Sequence, residues 1–183
     1  MEIEDVRSDL TEVLYTADQI EERIRQIAAE IDHDYAGLDL LLIGVLNGAV
    51  MTMADLSRAL RSHCEMQWMA ISSYGSGTAS SGVVRILKDL NIDITDRHVL
   101  LVEDIIDTGL TLSYLVQNLK NRHPASVEVM AAFRKAEAIK RPVDVRYVGF
   151  DIPSDFVVGY GLDYDGRYRN LNGLGILAPA VYS

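Results

Sequence analysis

Two stretches of this chain carry too few polar side chains to lie on a surface, "LDLLLIGVL" (Leu38–Leu46) and "RHVLLVEDI" (Arg97–Ile105). Near-continuous apolar runs of this length are expected of strands covered on both faces, as in a parallel sheet. Each run is followed by a segment with helical spacing. "MTMADLSRAL" follows the first, and "LTLSYLVQNLKN" follows the second with Leu112, Leu115, Val116 and Leu119 on one face. Upstream, Thr16 and Gln19 make a capping box, and Ile20, Ile24, Ile27, Ala28 and Ile31 keep the helical period, so a helix is predicted from Thr16 to about Tyr35. "EMQWMAISSY", "VVRILKDL", "SVEVMAAF" and "VRYVGFDI" read as further strands. Strands alternating with helices at these lengths indicate an α/β fold, a mostly parallel sheet flanked by helices and joined by right-handed crossovers.

No Pro-, Ser- or Gly-rich linker divides the 183 residues, so the expectation is one domain over 1–183. A chain of that size buries about 70% of the surface its unfolded form exposes, enough for a core and a cleft. The formal net charge of -10 disfavours nucleic acid or an anionic membrane as a partner. A lone cysteine, Cys64, asks for no oxidising compartment, and the longest uncharged run, Leu40 to Ala54, falls short of the ~20 residues of a membrane span. The acidic, polar N-terminus has none of the blocks of a signal peptide. The expected location is the cytoplasm. Gly75 to Gly82, "GSGTASSG", lacks any bulky apolar side chain and reads as a mobile loop, either a hairpin tip or a functional lid.

The second apolar run opens onto chemistry. In "LLVEDIIDTGLT" three carboxylates, Glu103, Asp104 and Asp107, stand at the end of a buried strand, and Thr108, Gly109, Leu110 and Thr111 begin a helix. Open α/β sheets bind ligands beyond the carboxyl ends of their strands. Carboxylates there suit a hard cation or hydroxyl groups, while the unpaired N–H groups of a helix start suit an anion. Taken alone, the same residues also fit an acidic helix cap. Two other phosphate motifs are excluded. "GSGTASSGVV" lacks the Gly-Lys-Ser/Thr ending of a P-loop, and it lacks the strand-GxGxxG-helix setting of a dinucleotide fold.

Whole segments decide between these readings. "VLLVEDIIDTGLTL" resembles the signature by which type I phosphoribosyltransferases bind 5-phosphoribosyl-1-pyrophosphate (PRPP). "SSYGSGTASSGVVRILKDL" resembles the flexible catalytic loop of the family's hypoxanthine and hypoxanthine-guanine branch. "YVGFDIPSDFVVGYGLDYDGRYRNL" resembles that branch's purine-binding part. With "IGVLNGAVMTMADL", the resemblance covers roughly Leu14 to Leu177. It implies the type I phosphoribosyltransferase fold, a mostly parallel central sheet with a small hood and a flexible catalytic loop. It also implies Mg²⁺-dependent transfer from PRPP to N9 of hypoxanthine or guanine, giving IMP or GMP and pyrophosphate in purine salvage.

Residue by residue, the resemblance assigns Glu103 and Asp104 to the ribose hydroxyls and Mg²⁺, and Asp107 to the general base near N7 of the purine. Asp107, Thr108, Gly109, Leu110 and Thr111 would seat the 5′-phosphate. Lys135 matches the lysine that contacts O6 of the base, Phe156 the aromatic that stacks on it, and Val157 the residue whose backbone reads its edge. Asp163 lies at the base and pyrophosphate end with a second Mg²⁺, and Arg169 serves pyrophosphate. Ser73 and Tyr74 match the Ser-Tyr pair of the loop that closes over the reacting centre. In isolation Lys135 reads as a solvated lysine, and Phe156 and Val157 as ordinary strand residues.

Two positions depart from the family. Ala136 follows Lys135 where proline is common, and Asn47-Gly48 stands where the pyrophosphate loop has Lys-Gly. Asn47 keeps hydrogen-bonding capacity and loses a positive charge, so PRPP and pyrophosphate should bind more weakly than in a lysine-bearing relative. Whether the family's non-proline cis peptide persists in this loop is left to the structure. A homodimer or homotetramer is expected. The alternative from another class, an RNA-binding regulator on the same fold, would need a basic face, which a net charge of -10 argues against.

Overall fold

The structure is a computed structural model, and it describes residues 1–73 and 84–182. The expected mobile loop and Tyr74 lie outside the described residues. The chain runs β1 (Leu10–Tyr15), α1 (Ala17–Asp34), β2 (Leu40–Leu46), α2 (Val50–Ala59), β3 (Cys64–Ser73), β4 (Val84–Lys88), β5 (His98–Ile106), α3 (Leu110–Lys120), β6 (Ser126–Arg134), β7 (Tyr147–Asp151), β8 (Val157–Val158), β9 (Leu174–Leu177) and α4 (Pro179–Tyr182).

Six strands form the main sheet in the order β4-β3-β2-β5-β6-β7. Every neighbouring pair is parallel except β3 with β4 at one edge. The two runs that first suggested buried strands are the two central ones, β2 and β5. Their side chains divide between two cores as the period-2 pleat requires. Leu40, Leu42, Leu100 and Val102 pack beneath α1 and α2 with Ile20, Ile24, Ile27 and Leu56. Leu41, Ile43, Val99 and Leu101 pack on the opposite face with Leu112, Leu115 and Leu119 of α3. Because both faces are apolar, neither strand shows the polar alternation of a half-exposed sheet.

α1 begins where its cap was read. The Thr16 hydroxyl accepts the Gln19 N–H, and Gln19 accepts the Thr16 N–H at 2.9 Å. No helix of the described residues is long and apolar enough to cross a membrane.

A second, three-stranded sheet, β1-β9-β8, is antiparallel and forms the hood. It has its own small core of Leu10, Val158, Tyr168, Leu171 and Leu177. The hood joins the start of the chain to its end and carries the segment 157–177 over the carboxyl edge of the main sheet. β1, β8 and β9 were not anticipated from the sequence: each is too short or too mixed to show a period by itself.

Candidate active site

Strand order reverses between β2 and β5, because β2 is followed by its neighbour on one side, β3, and β5 lies on the other. That switch point opens a crevice at the carboxyl ends of two adjacent strands. A cavity of about 250 Å³ lies there, lined by Gly48 from the loop after β2 and by Glu103, Asp104, Asp107, Thr108, Gly109 and Thr111 from the end of β5. The sequence motif and the loop that departs from the family therefore face one space. A larger groove of about 580 Å³ runs between α1, α2 and the hood, bordered by Arg169. It contains neither the acidic pair nor the phosphate turn, so the chemistry favours the smaller cavity.

The loop after β2 is held tightly against the acidic pair. The Leu46–Asn47 peptide is cis, which answers the question left by the sequence. Gly48 is buried, and a Cβ placed on it would fall 1.5 Å from Asp104 Oδ2. Only glycine lets the backbone come this close to the carboxylate. Asn47 is exposed at the rim.

Glu103 is 7% exposed, and burial reinforced by the charge of Asp104 pushes its carboxyl well above the usual range. Burial also pushes Asp104 up, to about 6, although the Ile105 N–H donates to Oδ1 at 2.7 Å and pulls the other way. The field of Arg169 lowers Asp104 and that of Asp163 raises it, so both hood residues act electrostatically on Asp104. Arg169 and Asp163 pair at 2.6 Å, and Arg169 also donates to the Gly161 carbonyl at 2.8 Å. Neither Glu103 nor Asp104 has a cationic side chain within ion-pair distance among the described residues. Two adjacent carboxylates, one buried and one half-buried, without an ion-pair partner suit a hard divalent cation. A pair of carboxylates is the number by which Mg²⁺ is usually held, the rest of its shell being ligand and water oxygens.

The turn beyond the pair is built for an anion. Gly109 adopts φ +77°, and a side chain there would meet the Arg141 carbonyl at 2.3 Å. The Thr108 carbonyl accepts the N–H groups of Lys140 and Arg141 at 3.0 and 3.1 Å, pinning the turn from behind. α3 then starts at Leu110, with no side chain capping its first N–H groups. Free N–H groups, the helix dipole and the hydroxyls of Thr108 and Thr111 converge on the cavity.

Lys135 follows β6, the strand beside β5, and its N–H donates to the Ile106 carbonyl at 2.9 Å. The side chain is 11% exposed, and its Nζ stands 3.9 Å from Asp107 Oδ2. The isolated-residue reading of a solvated lysine is thus corrected: neighbouring strand ends bring the two groups together at the cavity mouth. Phe156 and Val157 lie at the start of β8, Val157 buried in the hood and the Phe156 ring 37% exposed. Ser73 ends β3. Sequence reasoning missed Tyr160 and Asp55, which tie the hood to α2. Tyr160 sits within the purine-site motif, but nothing in the motif reveals its partner 105 positions away.

An open, mostly parallel sheet with an acidic pair, a turn of unpaired N–H groups and a buried lysine at its switch point defines an α/β domain whose cleft is suited to an anionic ligand. The phosphoribosyl transferase domain family matches residues 11–165, and the chain belongs to that family. Curated relatives include the hypoxanthine-guanine phosphoribosyltransferase of Mycobacterium avium, 56% identical over 95% of this chain and 89% of the relative. That of Bacillus subtilis is 44% identical over 97% and 98%. Among solved structures, a hypoxanthine phosphoribosyltransferase from Staphylococcus aureus superposes with a TM-score of 0.94 at 41% identity, covering 98% of this chain and 97% of the other. The fold is that of the type I phosphoribosyltransferases.

Proposed function

We propose that the chain catalyses transfer of the 5-phosphoribosyl group from PRPP to N9 of hypoxanthine, with guanine as a second acceptor, releasing pyrophosphate and giving IMP or GMP. The observation that carries this reading is the Lys135–Asp107 pair, 3.9 Å apart beside the phosphate turn. A buried ammonium donates to a 6-oxo group and opposes a 6-amino group, so it selects oxopurines over adenine. An adjacent carboxylate accepts the proton that such a base gives up at N7 while its N9 lone pair bonds to C1′. The C1′–oxygen bond to pyrophosphate breaks in the same step, and pyrophosphate leaves with the electron pair.

In this reading Thr108, Gly109, Leu110 and Thr111 seat the 5′-phosphate and fix the ribose end. Glu103 and Asp104 face the ribose hydroxyls. Phe156 stacks on the base and Val157 reads its edge through the backbone. Asn47, Gly48 and Arg169 contact the pyrophosphate, with less positive charge at Asn47 than a lysine would bring. Mg²⁺, held through Glu103 and Asp104 and at a second position through Asp163, supplies neutralisation of the leaving pyrophosphate when bound. Ser73 and Tyr74 belong to the loop that excludes water from an electron-poor ribosyl carbon. We further read the protein as a cytoplasmic homodimer or homotetramer, a number that light scattering of the purified chain would give.

A spectrophotometric assay with PRPP, Mg²⁺ and each purine tests the activity. Turnover with hypoxanthine and guanine is expected, and no turnover with hypoxanthine, guanine or xanthine overturns the proposal. The second reading, an RNA-binding regulator, has no observation in its favour.

A further inference from the structure

Phe156 does not stand alone at the rim of the hood. Its ring is 5.4 Å from that of Tyr182, tilted by 37°, and 5.9 Å from that of Tyr164, edge-on at 90°. The two tyrosines are themselves 6.1 Å apart at 60°, so the three rings close a triangle. They come from three separate segments: the entry to β8, the hood turn directly after Asp163, and α4 at the end of the chain. α4 has four residues and no intrinsic stability as an isolated helix. Its position is set by its surroundings. The Ala178 N–H donates to the Asp9 carbonyl at 2.8 Å, and Val181 packs into the hood core against residues such as Leu10 and Leu177. With Val181 turned inward, the next side chain, Tyr182, lies across Phe156.

An aromatic ring left 37% exposed and unsupported would sample several rotamers, and ordering it on ligand binding has an entropic cost. A ring already held by two others is presented in one orientation. We infer that Tyr182 is a positioning residue for the acceptor site: it holds the Phe156 ring in the orientation that stacks on the purine, with Tyr164 as the second support. The inference rests on the reading of Phe156 as the base-stacking residue. It assigns α4 to base recognition and leaves PRPP binding to the main sheet.

Three variants separate the possibilities: Tyr182→Ala, Tyr182→Phe and Phe156→Leu, each assayed for kcat and for KM of hypoxanthine and PRPP separately. Aromatic pairs contribute ~0.5–1.5 kcal/mol beyond burial, which corresponds to a rise of about two- to tenfold in KM for hypoxanthine in Tyr182→Ala. The KM for PRPP and kcat should stay within about twofold, and Tyr182→Phe, which keeps the ring, should restore the wild-type value. If loosening of α4 complicates the alanine variant, Tyr182→Leu keeps apolar bulk over the hood without a ring and should reproduce the rise with an unchanged melting temperature. An unchanged or lowered KM for hypoxanthine in Tyr182→Ala and Tyr182→Leu, with a raised one in Phe156→Leu, overturns the positioning role and leaves the stacking reading intact. No change in any of the variants overturns both.

Discussion

The hydroxyl of Tyr160 in the hood donates to Asp55 Oδ2 of α2 at 2.8 Å, and Asp55 Oδ1 accepts from Arg58 one turn further along. Tyr160 is 5% exposed and adopts a positive φ of 49°, so the contact secures a backbone turn few side chains tolerate. α2 begins directly after Asn47-Gly48, and the hood segment beyond Tyr160 carries Asp163 and Arg169. One hydrogen bond thus fastens α2 to the hood segment, the two elements that the proposed function sets at the pyrophosphate end. Tyr160→Phe should lower stability by about 1.5–3 kcal/mol, as for a lost hydrogen bond to a charged group, read by urea denaturation. It should raise KM for PRPP and leave KM for hypoxanthine unchanged. Equal changes in both would mean that the bond supports the whole domain rather than this pair of loops.

The close approach of Gly48 to Asp104 gives a sharper test of the cavity. A methyl at position 48 would overlap Asp104 Oδ2 and push the carboxylate out of the cleft. Gly48→Ala should cost about 1–3 kcal/mol of stability through overpacking. Its kcat/KM for PRPP should fall far more than that loss of folded protein explains. A variant as stable and as active as the wild type would show that the loop moves away from Asp104 in solution.

The acidic pair also sets how stability depends on pH. Burial lifts the Asp104 carboxyl from an ordinary value of 3.8 to about 6, and burial with the charge of Asp104 lifts Glu103 as well. The folded chain therefore holds protons that the unfolded chain has released. Stability falls as pH rises from about 4 through the raised values, because the folded state then keeps buried charge that the unfolded state hydrates. For Asp104 alone the shift corresponds to on the order of 2–3 kcal/mol. Melting curves without divalent metal between pH 4.5 and 8 should slope downward, and Asp104→Asn should flatten the slope while abolishing most activity. Adding Mg²⁺ with PRPP should restore wild-type stability at pH 8 and leave the variant nearly unmoved. A wild-type curve parallel to that of Asp104→Asn would mean that the pair is hydrated in solution.

The main sheet was readable because its central strands are buried on both faces, so hydrophobicity alone marks β2 and β5, and the helices between them keep a 3.6-residue face. β4 was legible as a strand, but nothing in its own pattern gives its antiparallel pairing with β3. The hood was legible only through its motif. β8 has two residues and depends on β9, 17 positions on, and β1 pairs with β9 across most of the chain. Pairings of that separation leave no local period. The site divides in the same way. Glu103 to Thr111 are contiguous and announce themselves, whereas Lys135 reads as a surface residue until β6 is set beside β5. Tyr182 carries no signal at all, since its relation to Phe156 exists only once Val181 has docked in the hood.

Asp107 is the residue on which the proposed chemistry turns. Its side chain is 55% exposed, and Lys135 is its one ion-pair partner among the described residues, at 3.9 Å. With its acidic partner this exposed and 3.9 Å away, the pair contributes ~0–1 kcal/mol, and Asp107→Asn should fold with almost unchanged stability. Asparagine keeps the size and the hydrogen-bonding reach and loses the ability to take a proton. General-base catalysis contributes about 10²–10⁴ in rate, so kcat should fall by two orders of magnitude or more. PRPP affinity, measured by calorimetry, should change by less than about threefold, because the 5′-phosphate is seated by N–H groups and hydroxyls that the substitution leaves in place. If kcat is unchanged, Asp107 returns to the role of a helix-start carboxylate and the N7 proton goes elsewhere. If PRPP affinity collapses along with the rate, the carboxylate serves the ribose phosphate rather than the base.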